Sequence, residues 1–186
     1  MRRAIFGGSF DPVHIGHLVL AESARAAFAL DRVIWIPANI SPHKNAPALF
    51  SSEERCAFLR AAIQDNSYFE ISTLEVERDG PSYTIDTLLA LGACEDTPMY
   101  CVIGADIAPR LDEWHRAGEL ARLARFIAVK REGVQPQAPA PFRMDTFESP
   151  GIDISSSMIR ERLAQGQSVR YLVPDAVYDL LTAMKV

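Results

Sequence analysis

Gly7-Gly8-Ser9-Phe10-Asp11-Pro12-Val13-His14-Ile15-Gly16-His17 sits between an apolar strand candidate, Arg3 to Phe6, and a helical pattern that begins near Ile15. Strand, glycine turn and helix in that order bring a phosphate to a helix N-terminus, where unpaired N–H groups and partial positive charge lie. Gly7 and Gly8 let the backbone turn sharply and approach a ligand, because no Cβ intervenes. Pro12 fixes its own φ and disfavours helical angles at Asp11, which keeps the loop open ahead of the helix. His14 and His17 are three apart, so within one helical turn they project from one face, and Gly16 keeps that face low. Two imidazoles beside helix N–H groups offer donors to a polyphosphate. A Gly-Gly step alone is often only a turn, and a His-x-x-His pair also serves as half a zinc site. Zinc needs two further ligands, and no Cys or His cluster supplies them. No metal-ligating residue is therefore expected.

Outward from this stretch, strand and helix signals alternate. Ile15 to Leu30 reads as a helix, and Val33-Ile34-Trp35-Ile36 as a strand buried on both faces and ended by Pro37. Ala38 to Asn45 follows the carboxyl end of that strand, where open α/β sheets bind ligands. On composition alone, His43 and Lys44 in that loop read first as a solvated turn. Ser51 and Glu54 form a capping box for a helix to about Gln64, with Arg55, Phe58, Leu59 and Ile63 at helical spacing. Phe69 to Val76 reads as a strand, Asp79-Gly80-Pro81 as a turn, and a helix is expected from about Ser82 to Gly92. Met99 to Ile103 is another buried strand, closed by Gly104-Ala105-Asp106. Helical pieces follow over Leu111 to Leu123, then a strand over Phe126 to Val129, a loop over Gly133 to Pro141 and a short or edge strand over Phe142 to Phe147. Ser155-Ser156-Ser157 caps a helix through Leu163, and Pro174 opens a last helix to about Met184. No repeat and no linker divides the chain. The expectation is one α/β domain over residues 1–186, Rossmann-like, with a mostly parallel, doubly wound sheet and helices on both faces.

Composition narrows the class. The chain has 186 residues, 48% hydrophobic and 23% charged, as in ordinary globular domains. A net charge of −5 argues against a general nucleic-acid or anionic-membrane surface. No apolar run is long enough to span a bilayer, and the N-terminus enters a strand pattern directly. Cys56, Cys94 and Cys101 are odd in number with no C-x-x-C spacing, which reads as reduced thiols in a cytoplasmic protein.

The second chemical stretch is Ile152-Asp153-Ile154-Ser155-Ser156-Ser157-Met158-Ile159-Arg160. Three hydroxyls at a helix start cap it, or hold phosphate together with the backbone N–H groups. Arg160 on the next turn reaches the same anion with a planar fork. Gly7 to His17 resembles the N-terminal signature of the T/H-x-G-H nucleotidyltransferase superfamily, and Ile154 to Arg160 resembles its Ile-Ser-Ser-Thr-x-Ile-Arg motif, with Ser157 for the usual Thr. Pro81-Ser82-Tyr83-Thr84-Ile85-Asp86-Thr87-Leu88, Gly104-Ala105-Asp106 with Trp114 downstream, and Pro37 to Lys44 resemble the bacterial nicotinate-mononucleotide adenylyltransferases. The resemblance runs from Arg3 to about the last helix; His115 stands where that family often has a tyrosine after the tryptophan.

That resemblance implies adenylyl transfer from ATP to nicotinate mononucleotide, giving deamido-NAD and pyrophosphate. It implies His17 at the α-phosphate, His14 at the departing phosphates, and Arg160 with Ser155, Ser156 and Ser157 at the β and γ groups. Gly7, Gly8, Ser9 and Phe10 are expected against ATP, with Gly104 and Asp106 bordering its ribose. Asn39 and Lys44 are expected on the acceptor nucleotide, with Trp114 stacked on the pyridine and Thr84 at its substituent. Mg²⁺ is expected on the ATP phosphates. The partners implied are these two small molecules, with no nucleic acid and no membrane; the oligomeric state is open, a homo-oligomer included. The alternatives are a sister adenylyltransferase acting on phosphopantetheine, and a nucleotide-binding sensor without turnover.

Overall fold

Successive side chains of a strand face opposite sides of a sheet, so alternate residues of a doubly covered strand enter different cores. The computed structural model describes residues 1–42, 47–130 and 136–184. In chain order it contains β1 (Arg3–Gly8), α1 (Ile15–Phe28), β2 (Arg32–Pro37), α2 (Ser52–Ile63), β3 (Phe69–Ile71), α3 (Thr84–Ala90) and β4 (Met99–Ile103). A 3-10 helix (Ala108–Glu113), α4 (Ala117–Leu123), β5 (Ala124–Val129), β6 (Met144–Phe147), α5 (Ser156–Ala164) and α6 (Asp175–Ala183) follow. Ala4, Phe6, Val33, Trp35 and Val102 enter one core with residues of α1, α2, α5 and α6. Ile5, Ile34, Ile36, Cys101 and Ile103 enter the other with residues of α3, α4 and the 3-10 helix. The sheet is therefore doubly wound, as the uninterrupted apolar strands require.

Among the described residues the strands run in the order β3-β2-β1-β4-β5-β6, and every pairing is parallel. The sequence pattern indicated a mostly parallel sheet; the sixth strand, expected as an edge, also joins in parallel. Order reverses at β1, which pairs with β2 on one side and with β4 on the other. Crossovers on the two sides leave toward opposite faces and open a crevice beyond the carboxyl ends of β1 and β4.

Four of the departures from the expectation have a physical reason in the structure. The strand expected over Phe69 to Val76 stops at Ile71. After Ser72 N donates to Trp35 O at 2.9 Å the chain turns, with Glu77 N donating to Thr73 O at 2.9 Å. The helix expected from Ser82 begins at Thr84, because Tyr83 before it keeps extended backbone angles and the Ile40–Pro81 bridge, with Ser82 N donating to Ile40 O at 2.9 Å, holds the preceding chain extended. The stretch from Leu111 to Leu123 is split by Arg116, whose φ of 55° is left-handed. The strand expected from Phe142 begins at Met144, since Phe142 N donates within its own turn to Pro139 O at 3.0 Å. At α2 the expected capping box is present: Ser51 Oγ accepts from Glu54 N at 3.2 Å and Glu54 Oε2 from Ser51 N at 2.7 Å.

Candidate active site

The loop from Gly7 to His17 leaves β1 at the switch point and folds over its own aromatic floor. Phe10 takes a left-handed φ of 46° and is 2% exposed. Its ring packs edge-on against Phe6 at 5.5 Å and His17 at 5.1 Å. Gly8 leaves room for that packing, since a Cβ there would lie 3.0 Å from the Phe10 ring.

His14 is the N-cap of α1, with extended backbone angles. Its backbone N–H donates to His17 Nδ1 at 3.2 Å. A neutral His17 with Nδ1 as acceptor carries its proton on Nε2. The two rings stack with centroids 3.7 Å apart, as their three-residue spacing predicts. His14 is 6% exposed, and burial lowers its pKa to about 4. Its Nδ1 has no hydrogen-bond partner, and a Cβ on residue 16 would lie 3.1 Å from that atom. A side chain at position 16 would therefore crowd the His14 ring.

The N-terminus of α5 closes the same side. Ser155 Oγ accepts from Met158 N at 3.1 Å, so this hydroxyl acts as the cap. Ser156 Oγ donates to Pro12 O at 2.9 Å and pins α5 to the β1 loop. Arg160 donates through Nη1 to Asp11 O at 2.8 Å and through Nη2 to Ser157 Oγ at 3.1 Å. The Asp11 carboxylate lies 3.4 Å from the same guanidinium. Of the three serines, only Ser156 lines the cleft.

Two residues that organise this half were not singled out from the sequence. Asp11 accepts from Leu49 N and Phe50 N, each at 3.0 Å, besides holding Arg160. Arg55, 2% exposed, donates to Ser9 O at 2.7 Å, Ala38 O at 2.8 Å and Phe50 O at 3.2 Å. It ties the loops after β1 and β2 to α2. The signal for Arg55 was present: it occupies a position on the apolar face of α2 with Phe58 and Leu59. Asp11 lies within Gly7–His17, where its spacing gives no sign of partners in a distant loop.

The crevice is a cleft of about 700 Å³. Gly7, Gly8, Ser9, Phe10 and His17 line one half, and Gly104 borders it at the end of β4. Asp106 leans over Gly104 so closely that a Cβ there would lie 2.5 Å from its Oδ1. Ser82, Thr84, Trp114 and His115 line the other half. His14, Arg160, Asp106, Ser155 and Ser157 are not among the residues that line the cleft; His14 is buried, whereas Asp106, Ser155 and Ser157 are exposed. Lys44 lies outside the described residues. Among the described residues no group of three or more His, Cys, Asp or Glu side chains is placed to hold a metal ion.

A family model described as cytidylyltransferase-like matches residues 5–162. A relative from Geobacillus thermodenitrificans, named "Probable nicotinate-nucleotide adenylyltransferase", is 44% identical over 174 residues, covering 93% of this chain and 80% of its own. One of the same name from a Roseiflexus species is 41% identical over 187 residues, covering 96% and 94%. This chain belongs to the nicotinate-nucleotide adenylyltransferase family. The structure of the Plasmodium falciparum nicotinic acid mononucleotide adenylyltransferase complexed with NaAD superposes with a TM-score of 0.79 at 17% identity, covering 100% of this chain and 96% of that one. Its agreement is one of fold.

Within this nicotinate-nucleotide adenylyltransferase fold the distal half of the cleft is built from three segments. Thr84 opens α3 and faces the cleft. Trp114 ends the 3-10 helix and sets its ring edge-on to Phe126 at 6.1 Å. His115 stacks on Tyr83 at 4.2 Å, so it supplies a flat ring on the rim. Asn39 does not line the cleft: its Nδ2 donates to Arg78 O at 3.3 Å and its backbone N to Ser82 Oγ at 3.0 Å. It acts in this structure as a strut between the loop after β2 and the segment before α3. No helix among the described residues is long and apolar enough to cross a membrane. Cys56, Cys94 and Cys101 are free thiols.

Proposed function

We infer that the chain transfers the adenylyl group of ATP to nicotinate mononucleotide, giving deamido-NAD and pyrophosphate, a step of NAD biosynthesis. The observation that carries this reading is a single cleft with two unlike halves: glycines, hydroxyls and imidazole at one end, Thr84 and Trp114 at the other. The first suits a polyphosphate and the second a flat ring bearing a polar substituent.

The acceptor's phosphate oxygen attacks the α-phosphorus of ATP in line. The new P–O bond forms as the bond to the α,β-bridging oxygen breaks, and its electron pair leaves with pyrophosphate. Such a transfer needs positioning and charge stabilisation rather than a protein nucleophile. His17 donates from Nε2 to the α-phosphate oxygens. His14, kept neutral by burial, acts as a hydrogen-bonding ring behind it. Arg160, aimed by Asp11 and Ser157, meets the departing phosphates. Gly7, Gly8, Ser9 and Phe10 admit the nucleotide backbone-close, with Gly104 and Asp106 at the ribose. Thr84 and Trp114 receive the pyridine ring. Mg²⁺ suits the phosphates of ATP rather than a protein cage, and when bound it offsets their charge.

The test is pyrophosphate release with ATP and a panel of acceptors: nicotinate mononucleotide, its amide and phosphopantetheine. The acid should give the highest kcat/KM. A preference for phosphopantetheine, or no release with any acceptor, defeats the reading; a preference for the amide defeats its acceptor half.

A further inference from the structure

A buried acid in the distal half of the cleft has no place in the chemistry above. Glu75 follows β3 in sequence, is 7% exposed and lines the cleft beside Ser82 and Thr84. Thr87 Oγ1, on the first turns of α3 and 0% exposed, donates to Glu75 Oε1 at 2.6 Å. The Ser82 hydroxyl hydrogen-bonds the same carboxyl group. Ser82 Oγ in turn accepts from Asn39 N at 3.0 Å. A hydroxyl has one proton to give and lone pairs to receive. Ser82 gives its proton to Glu75 and takes the Asn39 N–H on a lone pair. The donors therefore run one way, from Asn39 through Ser82 into Glu75, while Thr87 arrives from the other side. A carboxylate, an acceptor only when ionised, satisfies both ends.

This node joins the loop after β2, the turn after β3 and the start of α3. Those segments frame the distal half of the cleft. The half assigned to ATP is framed instead by the β1 loop and α5, held by Asp11, Arg55 and Ser156. Burial pushes the Glu75 carboxyl up, and the Thr87 and Ser82 hydrogen bonds pull it back. A buried acid kept on such partners serves geometry rather than folding economy.

We propose that Glu75 is a positioning residue for the acceptor mononucleotide: through Ser82 and Thr87 it fixes the start of α3, and with it Thr84, against the loop after β2. The proposal rests on the acceptor reading given above. Glu75→Gln preserves size but removes the charge and leaves a single acceptor oxygen for the two hydroxyl protons. It should raise KM for nicotinate mononucleotide, and its Kd by calorimetry, about tenfold, while the ATP constants stay within about twofold. Thr87→Val should give the same split, and Thr87→Ser, which keeps the hydroxyl, should restore it. The Glu75→Gln, Thr87→Val double variant should do no more than the stronger single change, since both break one node. Constants that move in parallel for both substrates, or an acceptor constant that stays put, overturn the proposal. If Glu75→Gln fails to fold, equal behaviour of the Val and Ser variants at position 87 overturns it alone. A wild-type chain that binds ATP but not nicotinate mononucleotide defeats the acceptor reading, and the proposal with it.

Discussion

His17 and Arg160 differ in how they are held, and that sets what their loss should do. His17 has Nδ1 fixed by the His14 backbone and its ring face covered by His14. Its removal deletes a donor without emptying the core, so His17→Ala should lower kcat by about 10² or more with an intact fold, read by single-turnover kinetics and circular dichroism. Near-normal turnover in that variant would remove His17 from the reacting phosphates. Arg160 reaches Asp11 and Ser157 with two different nitrogens. Lys offers one ammonium on a flexible stem and cannot keep both contacts while facing an anion. Arg160→Lys should raise KM for ATP about tenfold and leave the acceptor constant nearly unchanged. An unchanged ATP constant would take Arg160 out of the phosphate site.

At the scale of elements, the site depends on loops held by side chains that no periodicity reveals. The doubly buried strands, the Ser51–Glu54 box and the Ser155 cap were legible, because each follows from local pattern or spacing. The meeting of Gly7–His17 with Ser155–Arg160 was legible only through resemblance, since the two stretches are distant in sequence. Asn39, expected on the acceptor, donates its backbone N–H to Ser82 and its side-chain amide to Arg78, contacts set by the tertiary position of those residues and not by local pattern. The Asp11 clamp was likewise invisible, because its partners are backbone N–H groups of another loop. Asp11→Ala would strand the N–H groups of Leu49 and Phe50 and remove the carboxylate 3.4 Å from Arg160, while the Arg160 bonds to the residue 11 carbonyl and to Ser157 remain. Hydrogen bonds to a buried carboxylate contribute about 1.5–3 kcal/mol each, so the loss should be about 3 kcal/mol or more in urea unfolding. KM for ATP should rise alongside. A stability change under about 0.5 kcal/mol, the scale of an ordinary surface substitution, would contradict the clamp.

For the whole molecule, the buried imidazole makes stability depend on pH. The folded His14 titrates at about 4 rather than its ordinary 6.5. Between these values the unfolded chain binds the proton and the folded chain does not, so acid favours unfolding. The His14 contribution is fully present above about pH 6.5, is lost as pH falls toward about 4, and amounts to on the order of 3 kcal/mol. Glu75 acts with the opposite sign, because its raised pKa makes the folded state hold its proton longer. Melting temperature measured from pH 7 down to 4 should therefore fall, and His14→Gln should flatten the slope. A slope unchanged by that substitution would place the acid sensitivity elsewhere.

The central position of β1 also sets the order in which the molecule can be completed. Ala4 pairs with Val33 on one side but with Tyr100 on the other. As the chain leaves the ribosome, its first strand gains one neighbour early and waits for the second until β4 has emerged. Through that interval one edge of an apolar strand has no partner, a state open to mispairing with another chain. The last parts of the phosphate end, Ser156 and Arg160, arrive later still and dock onto Pro12 and Asp11. The Gly7–His17 loop thus acquires its working geometry only after segments far downstream of it have been made, and a nascent chain interrupted before α5 carries that loop without the contacts that hold it in place.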